Sequence, residues 1–259
     1  MWGQPPPAVR SSEARHPLPR YNLAMRRFVL LLLLSSLLLA AQTVPEVEIT
    51  AEPHHHLILE NKSVRVFYVE VPPHTDTLMH WHRHDYVYVV LGAAEVVNQV
   101  KGKAALAVKL QDGQTEFLPG NFAHVAHNPT DGTFRNVTIE ILEDAKLRQA
   151  PTHWDESRGL DILQGGTKEI LWVKDGVRAS EFELQPGGVV PPHHYAGEQL
   201  FVAVSDLDLR VDVPLKGPNP VAMPAHLKSG EAQWMPAGES SRMTNVGPKP
   251  ARFVTLEFP

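Results

Sequence analysis

Between residues 64 and 142 the chain alternates apolar and polar positions in short runs, each broken by Gly, Pro, Asn or Asp. "VRVFYVEV" (64–71), "DYVYVVLG" (85–92), "AEVVNQV" (94–100), "TEFLP" (115–119) and "RNVTIEIL" (135–142) are rich in Val, Ile, Phe and Tyr. Such residues suit a pleated, half-buried surface, and runs of this length between turn residues predict strands. No long stretch keeps the period of an amphipathic helix. The expectation is an all-β fold.

The same pattern occurs twice. Residues 64–92 lie over 177–205 without a gap, so that Val64-Arg65 meets Val177-Arg178, Glu70 meets Glu183, Pro73 meets Pro186, His80 meets His193, Asp85 meets Glu198 and Tyr88 meets Phe201. Residues 110–141 lie over 227–258, pairing Gly113 with Gly230, Phe117 with Trp234, Pro119 with Pro236, Asn128 with Asn245 and "RNVTIEI" with "RFVTLEF". The change of offset falls between the blocks, where "VPLKGPNPVAMPAH" reads as a loop beside "VVNQVKGKAALAVK". A repeat of this period means two copies of one unit. Two small β-barrels in tandem are expected, residues 42–149 and 164–259, joined by 150–163 with a short helix over Trp154 to Arg158.

The amino terminus reads differently. "MRRFVLLLLLSSLLLAAQ" opens at Met25 with two arginines, runs through an apolar core and ends on small residues, as a secretory signal does. Its apolar run is short for a membrane span, which needs about 20 residues. Residues 25–41 are therefore expected as a cleaved signal, and the Pro- and Arg-rich 1–24 as an extension outside the fold, Met25 being the preferred start. This places the protein in the periplasm or outside the cell, with no stable membrane span after cleavage. Loss of residues 1–41 takes away five arginines and Glu13, leaving 19 basic against 28 acidic residues and a net charge of about −9. Nucleic acid, which needs a basic face, is excluded as a partner.

Composition narrows the chemistry. The 259 residues include 43% hydrophobic and 20% charged positions, 23 prolines, 17 glycines and no cysteine. Disulfides, thiolate metal sites and cysteine nucleophiles are ruled out, so any metal is held by imidazole and oxygen. "MHWHRHDYVYVVLG", 79–92, concentrates such groups. In a strand His80 and His82 share one face, and Asp85, of opposite parity, joins them only if the chain turns between. His84 shares their parity. "DGQTEFLPGNFAHVAHN", 112–128, supplies His124 after a turn signal.

These residues resemble the cupin superfamily. Its first motif, a His-x-His pair, an acid, then six residues and a glycine, is matched in order by His80, His82, Asp85 and Gly92. Its second, Gly, five residues, Pro, four residues, His, three residues, Asn, is matched at every interval by Gly113, Pro119, His124 and Asn128. The resemblance covers both halves, roughly residues 54–258, and implies a bicupin of two jelly-roll barrels (double-stranded β-helices). It departs from the family at the acid, which is Asp rather than the usual Glu and lies two residues beyond His82 instead of three or four. His84 is the alternative to Asp85.

Carried through the repeat, His80, His82, Asp85 and His124 become His193, Tyr195, Glu198 and Ser241. The metal is thus assigned to the first half, and a structural, dimerising or lid role to the second. "HHH" at 54–56, His74, His127, His153 and His226 are read as solvated or hydrogen-bonded side chains, and Tyr86, Tyr88 and Phe201 as wall or surface aromatics. Arg83, Arg135 and Glu140 are left open as ligand contacts. Three imidazoles and a carboxylate leave open positions on Fe, Mn, Ni, Cu or Zn. The resemblance implies oxygenases, isomerases, decarboxylases and hydrolases, as well as proteins that only bind. The leading expectation is a dioxygenase-like oxidoreductase acting on a small organic molecule; the alternative is a non-catalytic small-molecule-binding or structural module of the cell envelope. A homodimer is compatible with either.

Overall fold

A computed structural model describes residues 45–143, 159–194, 197–213, 221–238 and 240–258, without the side chains of 221–224. The expected leader, the signal segment, the short helix over 154–158 and Tyr195 lie outside these residues. No α-helix occurs among them; one 3-10 turn covers Ile49–Ala51.

In the first half ten strands are β1 (Glu46–Glu48), β2 (His55–Glu60), β3 (Val64–Val71), β4 (Met79–His82), β5 (Tyr86–Val90), β6 (Ala94–Val100), β7 (Leu106–Leu110), β8 (Thr115–Leu118), β9 (Phe122–His127) and β10 (Phe134–Ile141). They form two five-stranded sheets, β1-β4-β9-β6-β7 and β2-β3-β10-β5-β8. The second half contains β11 (Leu160–Lys174), β12 (Val177–His194), β13 (Gln199–Ala203), β14 (Leu207–Val213), β15 (Val221–Leu227), β16 (Ala232–Met235), β17 (Ser240–Asn245) and β18 (Ala251–Glu257). Their order is β15-β14-β17-β12-β18-β13-β16, with β11 on β12. The long β12 spans the counterparts of both β3 and β4, so one strand belongs to what are two sheets in the first half. The fold is all-β, with jelly-roll barrel sheets.

The structure lengthens the repeat. β6 falls on β14 in the first alignment, and β7 on the end of β15 in the second. The segment read as a loop at 213–226 is therefore partly strand: Val221 through His226 pair with β14 in antiparallel register. Its Pro and Gly residues hid an edge strand, where proline is tolerated because one side of the strand needs no ladder partner. β11 likewise begins inside the segment read as the connection.

Equivalent bonds recur in both halves. Asn128 donates to the carbonyls of Val71 (3.0 Å) and Gly132 (2.8 Å), and Asn245 to those of Leu184 (2.9 Å) and Lys249 (2.8 Å). Arg65 pairs with Glu140, and Arg178 with Glu257. The motif asparagine is thus a clamp between strand end and turn. Asn128→Ala leaves buried carbonyls without donors, and thermal or urea unfolding is expected to show a loss of about 1–3 kcal/mol.

Alternation does not leave these strands wet on one side. On β3, Phe67, Val69 and Val71 face the inside of the first barrel, whereas Val64 and Val66 face the second half. β5 and β10 divide in the same way, with Val87, Val89, Val137 and Ile139 meeting Val177, Leu200, Val202, Val254 and Leu256 in one shared core. All nine are fully buried. Residues 44–259 are accordingly one compact unit. Across the seam Arg252, which also pairs with Glu181 of its own half, bonds Asp112, and the Trp172 indole donates to the Thr115 carbonyl.

Candidate metal centre

His80 and His82 alternate with the half-buried Met79 and Trp81 on β4, which turns both imidazoles inward; each residue is 1% exposed. The antiparallel register sets His80 directly opposite His124 on β9. The His124 ring lies 4.5 Å from that of His80 and 5.0 Å from that of His82 between centroids, and the two Nε2 atoms of His82 and His124 are 3.0 Å apart. The spacing of the two motifs thus brings three imidazoles to one point.

Asp85 is placed elsewhere. Its Oδ1 accepts the Gly120 amide at 2.8 Å. It has the parity of Val87 and Val89, whose side chains belong to the core between the halves. Gly120 passes so close that a Cβ there would lie 2.2 Å from the His84 carbonyl oxygen. Asp85 therefore holds the turn after Pro119 against the start of β5. His84 is half-buried and acts electrostatically on Glu140. Neither is in the group of His55, His80 and His82, whose ligand atoms cluster.

The further member is His55, expected from the sequence as a solvated or hydrogen-bonded side chain. β2 runs in the opposite sheet, with His55 in register with the inward-facing Val69. Its side chain is 5% exposed, and its ring stands 4.7 Å from that of His80. Ligand atoms of His55, His80 and His82 all lie within 4.8 Å of one another. One signal in sequence pointed to it: Glu52, three residues earlier, accepts His55 Nδ1 at 2.6 Å. An acid three residues from a histidine is too common a spacing to have singled it out.

Each ring has a fixed orientation. The Nδ1 atoms of His55, His80 and His124 face Glu52, the Leu78 carbonyl and the Asn98 Oδ1 at 2.6, 2.8 and 2.7 Å. These partners only accept, so Nδ1 is the donor in each ring; metal-binding histidines are oriented in this way by an outer layer of acceptors. Tyr86 stacks on the His82 ring at 4.1 Å. Burial pushes the Glu52 carboxyl up, but hydrogen bonds from His55 and from the Leu78 and His54 amides outweigh it, and the group ends below its ordinary value.

Burial first, then the field of His55, holds His80 down to about 4. Burial and the neighbouring imidazoles hold His82 and His124 well below the usual range. All three are neutral at pH 7. In the metal-free protein the unfolded chain takes up these protons first, so stability is expected to fall as pH drops below about 6.5, the His80 contribution being lost by about pH 4. Urea midpoints across that window check the sign.

The group fits a divalent cation. His80 Nε2 and His82 Nδ1 are buried without a hydrogen-bond partner, a costly condition for polar atoms. Two imidazoles bound at right angles to one ion at about 2.1 Å have nitrogens about 3.0 Å apart, which is the His82 to His124 distance. The chain therefore carries a histidine group able to hold a divalent metal ion. Beside it lies a cavity of about 220 Å³, walled by Val71, Val96, Leu110, Leu118 and Phe134, with Tyr86, Tyr88, Asn136 and Glu116 as polar groups. Burial, and then Tyr88 beside Tyr86 and Glu116 beside Tyr88, raises both phenols, which stay protonated.

The second half keeps the frame and loses the ligands. His193 Nδ1 meets the Pro191 carbonyl just as His80 meets Leu78, but Ser241 stands at the place of His124 and Lys168 at that of His55. Phe182, Phe201 and Phe253, at the places of Val69, Tyr88 and Asn136, stack with centroids 4.8 and 4.2 Å apart. No second group of three ligating side chains forms among the described residues.

No protein-family model matches the chain, and no curated protein matches it. Solved structures do. Oxalate decarboxylase from Bacillus subtilis at pH 4.6 is 11% identical, with a TM-score of 0.56 over 76% of this chain and 68% of that one. A study of Mn(II) centres in the same decarboxylase gives 11% and 0.56 over 79% and 75%. AerE from Microcystis aeruginosa is 14% identical, with a TM-score of 0.53 over 80% and 98%. At such identities the likeness shows the fold alone.

Proposed function

We propose that this chain is an exported bicupin that binds a divalent transition metal through His55, His80, His82 and His124, and is a dioxygenase-like oxidoreductase for a small organic molecule. The observation that carries it is the convergence of four oriented imidazoles, with buried lone pairs, on the floor of a largely apolar cavity. An ion held by neutral imidazoles keeps open positions for substrate or dioxygen and supplies Lewis-acid or redox chemistry there. The chain's own residues hold and orient. Glu52, Leu78 and Asn98 fix three rings, Tyr86 fixes the fourth, and the apolar wall excludes bulk water. Tyr86 and Tyr88 offer neutral hydroxyl donors, and Glu116 is the carboxylate in the wall.

The Mn(II) centres named for the structural neighbour make manganese the first metal to test. Protein loaded with manganese, iron, nickel or copper is expected to consume oxygen with an aromatic, flavonoid or thiol substrate. No consumption with any of them would overturn the reading. The second reading is a binding module of the cell envelope that holds metal without turnover. It is favoured by the scarcity of acid–base groups in the cavity, where Glu116 is the carboxylate. Tight zinc in the native protein supports it.

A further inference from the structure

The interior of the second barrel is not fully packed. Beyond the stacked Phe182, Phe201 and Phe253 lies a cavity of about 270 Å³, lined by Leu209, Val211, Leu227, Met235 and Met243 along with Phe201 itself. Through the repeat these residues correspond to Val96, Asn98, Leu110, Leu118, Ala126 and Tyr88, all of which line the first cavity. The two hollows therefore occupy the same part of the two barrels, and their chemistry differs in one direction. Tyr88, Asn98 and Glu116 become Phe201, Val211 and Gln233. The hydroxyl and the charge are removed, an amide remains only at Gln233, and no Asp, Glu, His, Lys or Arg lines the second cavity among the described residues.

A metal site that had merely decayed would be expected to fill. Unfilled apolar volume weakens a core in proportion to its size, and the aromatic stack shows that the histidine end of this barrel has been filled. The adjoining space has not. Apolar cavities of about 150 Å³ stay dry and take up benzene-sized guests. Methionine, unbranched and polarisable, repacks around guests of differing shape, and Met235 and Met243 both border this space.

We propose that the second barrel is a separate, metal-independent site for a small uncharged apolar molecule of one or two fused rings. Charged molecules are rejected because the wall, whose polar side chains are Gln233 and Trp234, offers no opposite charge to replace lost water.

The probe is N-phenyl-1-naphthylamine, uncharged and fluorescent once out of water, titrated into metal-free protein. Saturable binding is expected. Val108 and Ala225 are counterparts in the two cavities, so Val108→Phe obstructs the first and Ala225→Phe the second. Ala225→Phe is expected to weaken the probe at least tenfold while leaving metal content unchanged, and Val108→Phe to leave probe binding within twofold. Toluene added to wild-type protein labelled at the methionine methyls is expected to shift Met235 and Met243, which needs no variant to fold. Absence of saturable binding together with unmoved methionine signals would overturn the proposal. So would loss of the probe in Val108→Phe with retention in Ala225→Phe, which would place it in the first barrel. Metal content is measured separately, so failure here leaves the metal centre standing, and the reverse.

Discussion

His82→Ala and His55→Ala are each expected to strip the divalent metal from the protein, whereas Asp85→Ala leaves it bound. Removal of one imidazole takes a lone pair from the group and leaves its neighbours, already costly to bury, with one partner fewer. Glu52→Gln is the graded case. It keeps an acceptor near His55 but removes the charge, and outer partners of this kind are worth about 10- to 100-fold in metal affinity. The direct ligands should exceed that. Asp85→Ala is expected to cost about 1.5–3 kcal/mol of stability, because the Gly120 amide loses a charged acceptor, with metal content unchanged. Elemental analysis of untagged protein and competition titration with a chelator measure all four. Metal lost from Asp85→Ala and kept in His55→Ala would reverse the assignment.

Ile139→Ala has the second large effect. Ile139 is fully buried at the centre of the core shared by the two halves, between β3 and β5 and facing Val254 and Leu256 across the seam. Deleting three buried carbons in such a site costs about 2–5 kcal/mol. Because the same cluster contains residues of both halves, the loss is expected to shift one cooperative transition rather than the earlier of two. Urea unfolding followed by Trp172 near the seam and by far-ultraviolet dichroism tests this. Two separated transitions, with only one displaced, would show that the halves fold independently.

Much of this architecture was legible in residue order. The period-two runs at 64–71, 86–90 and 135–141 are strands, and the repeat that matched His80 with His193 also matches their hydrogen bonds to Leu78 and Pro191. The edge strands β1, β2, β7 and β15 were not legible. Their burial is irregular, with exposed Leu57, Ile58 and Leu106 among them, so alternation gives no signal. The direction of Asp85 was not legible either, because it depends on the turn held against Gly120.

By itself the sequence determined the class of fold, its duplication, and that His80, His82 and His124 could meet, since all three follow from local periodicity and counting. Only the tertiary structure shows that the His55 ring is buried beside that of His80, that the Asp85 carboxylate accepts the Gly120 amide, and that a cavity remains in the second half. The physical reason is closure. A strand's period says which side chains share a face; which remote strand covers that face, and what space remains between, depends on how two sheets pack over one core.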